Sequence, residues 1–407
     1  MSTAPPFARD RIIHGWIGLK ALSDAGDAAW TLAVAWTAVT TASPAVAGLV
    51  VTASTVPRAI TLLVGGVLAD RVDPRRLMLG TTIARIGILI SAIIAIALIG
   101  ESIALLFAVA IAFGMCDALF EPSSASLTRQ LVRPDDFAAL AGLSQTSSRL
   151  GALAGSALGG ILVAAGGLAA AAVDNAATYT AVLLYLAFLL RARFPRKPAD
   201  RIPMMRAIGD GFAYLRRDDL ARGLVLSLLG LNLCVSPAMS IGLAMLVDHL
   251  GATSATLGAL EAVFGVGAML GALVFVRIRP PRPALTGFLL LVVQGLAVAS
   301  FAVEAAPAAF MSCAVIGVTA GAASTLLSAL FMRTIASDRI GRVSSIQRLG
   351  DDGLMPVATG AFGALAAGSL PAAFLTFGGV MAAYMAVTAV RRARGAGGRD
   401  DEVVVTR

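Results

Sequence analysis

Gly66-Val67-Leu68-Ala69-Asp70-Arg71-Val72-Asp73-Pro74-Arg75-Arg76 gathers five ionisable side chains into a stretch with a long apolar run on either side. Upstream lies Ala45 to Ala69 and downstream Leu77 to Ile99. At a helical rise of about 1.5 Å per residue, each run is long enough to cross the roughly 30 Å hydrocarbon core of a bilayer. The charged stretch therefore reads as a short water-side loop between two membrane spans.

Further runs of similar length extend in both directions. They lie near Ile13 to Thr40, Ile103 to Leu127, Ala138 to Ala164 and Leu168 to Leu190, which with the first two makes six. A second six follows near Leu220 to Leu246, Leu257 to Val276, Ala284 to Val303, Ala308 to Met332, Val343 to Ala367 and Pro371 to Val390. The composition agrees, with 58% hydrophobic and only 14% charged residues and a mean hydropathy of +0.85. A soluble domain is about one quarter charged, so lipid is the solvent these residues suit. The expected fold is an all-α membrane protein with twelve transmembrane helices in two six-helix bundles.

The net charge of +8 does not indicate nucleic acid, because the basic residues sit in short segments between apolar runs and form no stripe interleaved with aromatics. Segments around Ser43, Gly100, Gly166, Asp248, Glu304 and Ser369 contain no Lys or Arg, and the alternate segments hold most of them. By the positive-inside rule both termini and the central loop are expected in the cytoplasm, with the chain in the inner membrane. The expected division is residues 1–190 for one bundle, 191–221 for a cytoplasmic linker, 222–392 for the other bundle and 393–407 for a tail. Residues 204–215 of the linker space their apolar side chains as a surface helix would.

Cys116, Cys234 and Cys313 each fall in a separate apolar run, which predicts buried packing instead of a disulfide or a metal cluster. The first run carries Asp24 and Asp27 and has no short apolar core followed by a cleavage site, so it reads as a retained span. No glycine-rich loop is followed by Lys-Ser or Lys-Thr, which excludes a phosphate-cradling ATP site and points to an ion gradient as the energy source. His14 and His249 lie near helix ends with no nucleophile or metal-ligand spacing around them. No enzyme, cofactor or metal is expected. A signalling protein would need an output domain, which the tail is too short to supply.

The loop from Gly66 to Arg76 resembles the signature of the major facilitator superfamily, G-x-L-a-D-R-x-G-R-R, and the two-times-six layout is similar over nearly the whole chain. The sequence departs from the signature at Asp73 and Pro74. The resemblance implies a cytoplasmic gate built from Gly66, Asp70, Arg71, Arg75 and Arg76. In the fifth span, Gly142, Gly151, Gly155, Gly159 and Gly160 resemble the antiporter motif of drug-exporting members, with Ser156 where proline is usual. Phe120-Glu121-Pro122, Leu260-Glu261-Ala262 and Asp27 are similar to the macrolide and siderophore exporter branch. A faded copy of the loop signature at Gly271 to Arg282 suggests two halves related by duplication.

Ionisable groups at membrane depth are costly and so are functional candidates. Asp27 and Arg58 lie at similar depths, about 20 Å and 18 Å along their spans, and could pair either as a proton-operated switch or as a static bridge. Asp117 and Glu121 share one face of the fourth span, where they could share a proton or attract a cation; Glu121 could instead cap or pair near the inner surface. Asp24 lies one turn from Asp27, Arg149 lies mid-span with partners expected from neighbouring helices, and Asp174 and Glu261 lie nearer the outer side. The expected protein is a monomeric secondary transporter coupled to protons, exporting a small amphipathic compound such as a drug, antibiotic or siderophore. The alternative is an uptake symporter on the same fold.

Overall fold

The computed structural model describes residues 6–55, 57, 58, 61, 72–194, 209, 213–216, 219–278, 280–334 and 340–395. Gly66, Asp70 and Arg71 of the loop signature, and most of the expected linker helix, lie outside the described residues. The described elements are all helical: α1 (Arg11–Thr41), α2 (Pro44–Thr52), α3 (Pro74–Ile99), α4 (Ile103–Arg129), α5 (Phe137–Phe188), α6 (Asp219–Pro237), α7 (Leu243–His249), α8 (Ser254–Arg277), α9 (Pro283–Ala299), α10 (Ala306–Thr334), α11 (Ile340–Gly368) and α12 (Leu370–Gly395).

Helix starts follow local chemistry. Asp10 accepts hydrogen bonds from the backbone N–H groups of Ile12 and Ile13 at the head of α1. Asp73 does the same for Arg75 and Arg76 at the head of α3, with Pro74 in the first helical position, where its missing N–H is harmless. The two departures from the loop signature are thus a helix cap. Ser102 caps α4 through the N–H of Leu105.

Eight helices among the described residues are long and apolar enough to cross a bilayer by length and composition. One of them, α5, covers two of the expected spans. Its backbone breaks at Gly166 and Gly167, and the φ of +64° at Gly167 belongs to the left-handed region that glycine adopts without strain. The carboxylate of Glu101 accepts the N–H of Leu168 at 3.1 Å and so caps the second arm. A Cβ on Gly151, Gly155 or Gly159 of the first arm would meet Ala21, Ala25 or Ala29 of α1, so that arm runs parallel to α1. Gly26 and Gly15 of α1 face Asn175 with Thr178 and then Tyr185, so the second arm runs antiparallel. This polarity is what the three expected spans between α1 and the first arm of α5 require, of which α3 and α4 are long and apolar enough to cross.

The chain divides into two compact units, Met1–Asp200 with Ala252–Ala262 and Arg201–Gly251 with Val263–Arg407. In the first, a buried apolar cluster of Ile13, Trp16, Ile17, Met78, Leu127, Leu186 and their neighbours ties α1, α3, α4 and α5 together. The first turns of α8 also belong here. Ser254 donates to the carbonyl of Gly160 at 3.1 Å, and a Cβ on Gly258 would meet the carbonyl oxygen of Ser156 at 2.9 Å. In the second unit, α9 and α12 approach closely where a Cβ on Gly295 or Gly378 would strike the opposite backbone. Beside them Phe362 packs edge to face with Phe374 and Phe377, Phe301 meets Phe374 at a tilt, and a π turn at Ala238–Gly242 joins α6 to α7.

Candidate functional site

The polar centre of the first unit is assembled by α1, α3, α4 and the second arm of α5. Gly26 lacks a side chain where α5 crosses, which lets Asn175 and Tyr179 reach the carboxylate one residue further on. Tyr179 donates its hydroxyl proton to Asp27 Oδ1, and Asn175 Nδ2 donates to the same oxygen at 3.3 Å. Arg85 rises from α3 and is 4% exposed. Its Nη2 donates to Asp117 Oδ1, and its guanidinium lies 4.4 Å from the centre of the Phe120 ring and 5.2 Å from that of Tyr179. Tyr179 therefore touches both ends of the cluster, with its hydroxyl on Asp27 and its ring under Arg85.

Such an arrangement can hold a proton. Asp27 is engaged by two neutral donors and by no ion pair among the described residues, while the nearby cation is balanced by Asp117. Protonating Asp27 removes the charge that Tyr179 and Asn175 serve, beside a Tyr179 ring that lies against the Arg85 guanidinium.

The expected pairing of Asp27 with Arg58 is not formed. Similar depth does not place two side chains on facing sides of their helices. Ser54, just past the end of α2, sits against the bare Gly114 of α4, so Arg58, one turn on, meets Glu121, its Nη2 donating to Oε2 at 2.8 Å. Asp117 and Glu121 do share a face of α4, and each is paired with its own arginine, for Glu121 the pairing that was the alternative expectation. Asp24 pairs with Lys20 at 2.7 Å on its own helix. Arg149, for which neighbouring helices were to supply a carboxylate, is exposed and has no such partner among the described residues.

Of the gate residues that are described, Arg75 donates from Nε to the carbonyls of Leu186 and Leu190, at 3.0 and 2.8 Å, and from Nη2 to that of Ala187 at 2.7 Å. It binds the carbonyls that the end of α5 leaves without helical partners. Arg76 is exposed. In the glycine motif, Gly151, Gly155 and Gly159 lie on α1 and Gly160 on α8, whereas Gly142 faces open space.

Sequence reasoning missed Arg85, Tyr179 and Asn175. Arg85 carried a usable signal, a lone cation within the run Leu77 to Ile99, by the same criterion that picked out Asp27. Tyr179 and Asn175 carried none, since neutral polar residues are unremarkable in a span.

Residues 20–359 match the family model described as Major Facilitator Superfamily. The chain belongs to the major facilitator superfamily. It is a multi-pass membrane transporter and not an enzyme, as its family and relatives indicate. The enterobactin exporter EntS of Shigella boydii serotype 18 is 26% identical over 328 residues, covering 78% of this chain and 77% of that protein. EntS of Escherichia coli O139:H28 matches over the same shares. Among solved structures, the nucleoside transporter NupG superposes with a TM-score of 0.70 at 12% identity, covering 94% of this chain and 98% of its own. A bacterial homologue of the iron transporter ferroportin gives 0.68 at 16%, covering 94% and 100%. At those identities the structures speak for the all-α fold of the superfamily alone.

Proposed function

We propose that this major facilitator exports a small amphipathic compound of the siderophore type by proton antiport, with Asp27 as the proton-carrying group. The observation that carries the coupling is the position of Asp27, held by Tyr179 and Asn175 next to the balanced Arg85 and Asp117 pair. A carboxylate in that setting gains or loses one charge without stranding a neighbouring ion, and the change is felt on α3, α4 and α5 together. Export is supported by the relatives named as enterobactin exporters and by the glycine motif on α5. The charge pattern of the loops supports an inner-membrane protein with both termini in the cytoplasm, and a monomer suffices for this scheme. Arg75 and Arg76, with the undescribed Gly66, Asp70 and Arg71, form the proposed cytoplasmic gate.

Everted membrane vesicles test the reading. Adding enterobactin should release protons from energised vesicles that hold the native protein. Asp27→Asn should bring gradient-driven transport down to the level of vesicles without the protein while substrate still binds. Unchanged active transport by Asp27→Asn would remove Asp27 from the mechanism, and accumulation of the compound by whole cells would reverse the direction.

A further inference from the structure

Four Lys or Arg side chains of the first unit lie within its apolar runs, and three have a carboxylate of their own. Lys20 is paired with Asp24, Arg58 with Glu121 and Arg85 with Asp117. Arg149 is the fourth, exposed and without a hydrogen-bond or ion-pair partner among the described residues. It lies twelve residues past Phe137, about 18 Å along α5. An extended arginine side chain cannot reach back over that distance to the start of the helix.

The first arm of α5 has three distinct sides. Gly151, Gly155 and Gly159 lie against α1. Leu143, Leu150, Leu158 and Ile161 make an exposed apolar side suited to lipid. The third side, turned away from α1, presents Gln145, Thr146 and Arg149, all exposed, and continues into Ser156 and Gly160, which the first turns of α8 cover. Its one large apolar side chain between Arg149 and Ser156 is Leu153, which is half-buried. Arg149 therefore stands on a side that is polar for the turn before it, away from the lipid-facing leucines. An unbalanced cation at this depth is expensive unless an anion or water meets it.

We propose that Arg149 binds an anionic group of the transported compound, so that the cargo carries a carboxylate or another planar oxyanion. The guanidinium fork presents two parallel N–H donors to such a group, and Gln145, one turn away on the same side, offers an amide for a neighbouring oxygen. This deepens the export reading by naming the charge of the cargo, and it rests on that reading only for the bound compound being cargo.

The experiment is equilibrium binding to the purified protein in nanodiscs without a pH gradient. Fluorescein and cholate serve as amphipathic carboxylates, rhodamine 123 and ethidium as amphipathic cations. At least one carboxylate should bind saturably. Arg149→Gln should weaken it by on the order of tenfold to a hundredfold, the range expected for losing hydrogen bonds to a charged group. Arg149→Lys should keep part of the affinity, and both ligand-free variants should melt at the native temperature, because Arg149 is exposed and makes no hydrogen bond or ion pair among the described residues. Binding of the cations alone, binding of neither carboxylate, or carboxylate binding that survives Arg149→Gln would overturn the proposal. Since no gradient is used, failure here is separate from failure of proton-coupled export in the vesicle assay.

Discussion

Asp10 joins the start of α1 to the chain that follows α5. Its carboxylate caps the helix through Ile12 and Ile13 and accepts from both terminal nitrogens of Arg193, with its side chain only 3% exposed. Burial alone would push the Asp10 carboxyl up, but the hydrogen bond from Arg193, the backbone N–H groups and the charge of Arg193 outweigh it and hold it below the ordinary carboxylate value of 3.8. A group whose acidity is strengthened by folding contributes stability above its unfolded pKa and loses it as pH falls through the folded one. The Asp10 contribution should therefore be complete at neutral pH and fade only below about pH 4. Asp10→Ala removes the cap and leaves Arg193 unpaired, which should cost about 1–3 kcal/mol. Thermal unfolding of the purified variant should show that loss at pH 7, with the gap to native shrinking as the pH drops below 4.

At the scale of elements, the seam between α1 and α5 depends on the absence of side chains at a four-residue interval. A Cβ on Gly155 would lie 2.0 Å from the carbonyl oxygen of Ala25, a backbone atom that cannot swing away, while Gly142 has nothing within 4 Å. Gly155→Ala must part the helices and should destabilise the protein by roughly 1–3 kcal/mol, the usual range for overpacking. Gly142→Ala should leave the melting temperature unchanged or slightly raised. Equal effects at the two sites would mean that the motif acts through helix propensity and not through contact. The second arm of α5 is held by different chemistry, with Glu101 capping its start and Arg75 its end.

For the whole molecule, the polarity of α1 and the two arms of α5 restricts the path of the first six passes, and the loop charges propose which side each connection faces. Reporter fusions test that assignment. A phosphatase active only outside the cytoplasm should work when fused at Gly100 or Glu304, and a fluorescent protein that folds only inside should light up at Arg193 or Gly395. Phosphatase activity at Arg193 would invert the proposed orientation. The membrane-depth ion pairs among the described residues, Lys20 with Asp24, Arg58 with Glu121 and Arg85 with Asp117, belong to the first unit. Proton handling is accordingly proposed there and not in the aromatic packing around Phe362 and Phe374.

Hydropathy and motif alone determined the all-helical membrane fold and the family, because span length is set by bilayer thickness and needs no partner residue. They also marked Asp27, Asp117 and Glu121, since a charge in an apolar run stands out wherever it points. Only the tertiary structure decided who meets whom. Depth along a helix can be counted from sequence, but the rotation of that helix is set by packing, here by bare glycines such as Gly26 and Gly114 that choose which faces approach. That rotation moved Arg58 from Asp27 to Glu121, brought the unsuspected Tyr179 and Arg85 to the centre, and left Arg149 as the membrane-depth cation of the first unit without a counter-charge among the described residues. The loop from Gly66 to Arg76 told the family at once, yet the work of its Asp73 and Arg75 as caps on α3 and α5 became visible only when the helix ends they serve were in place.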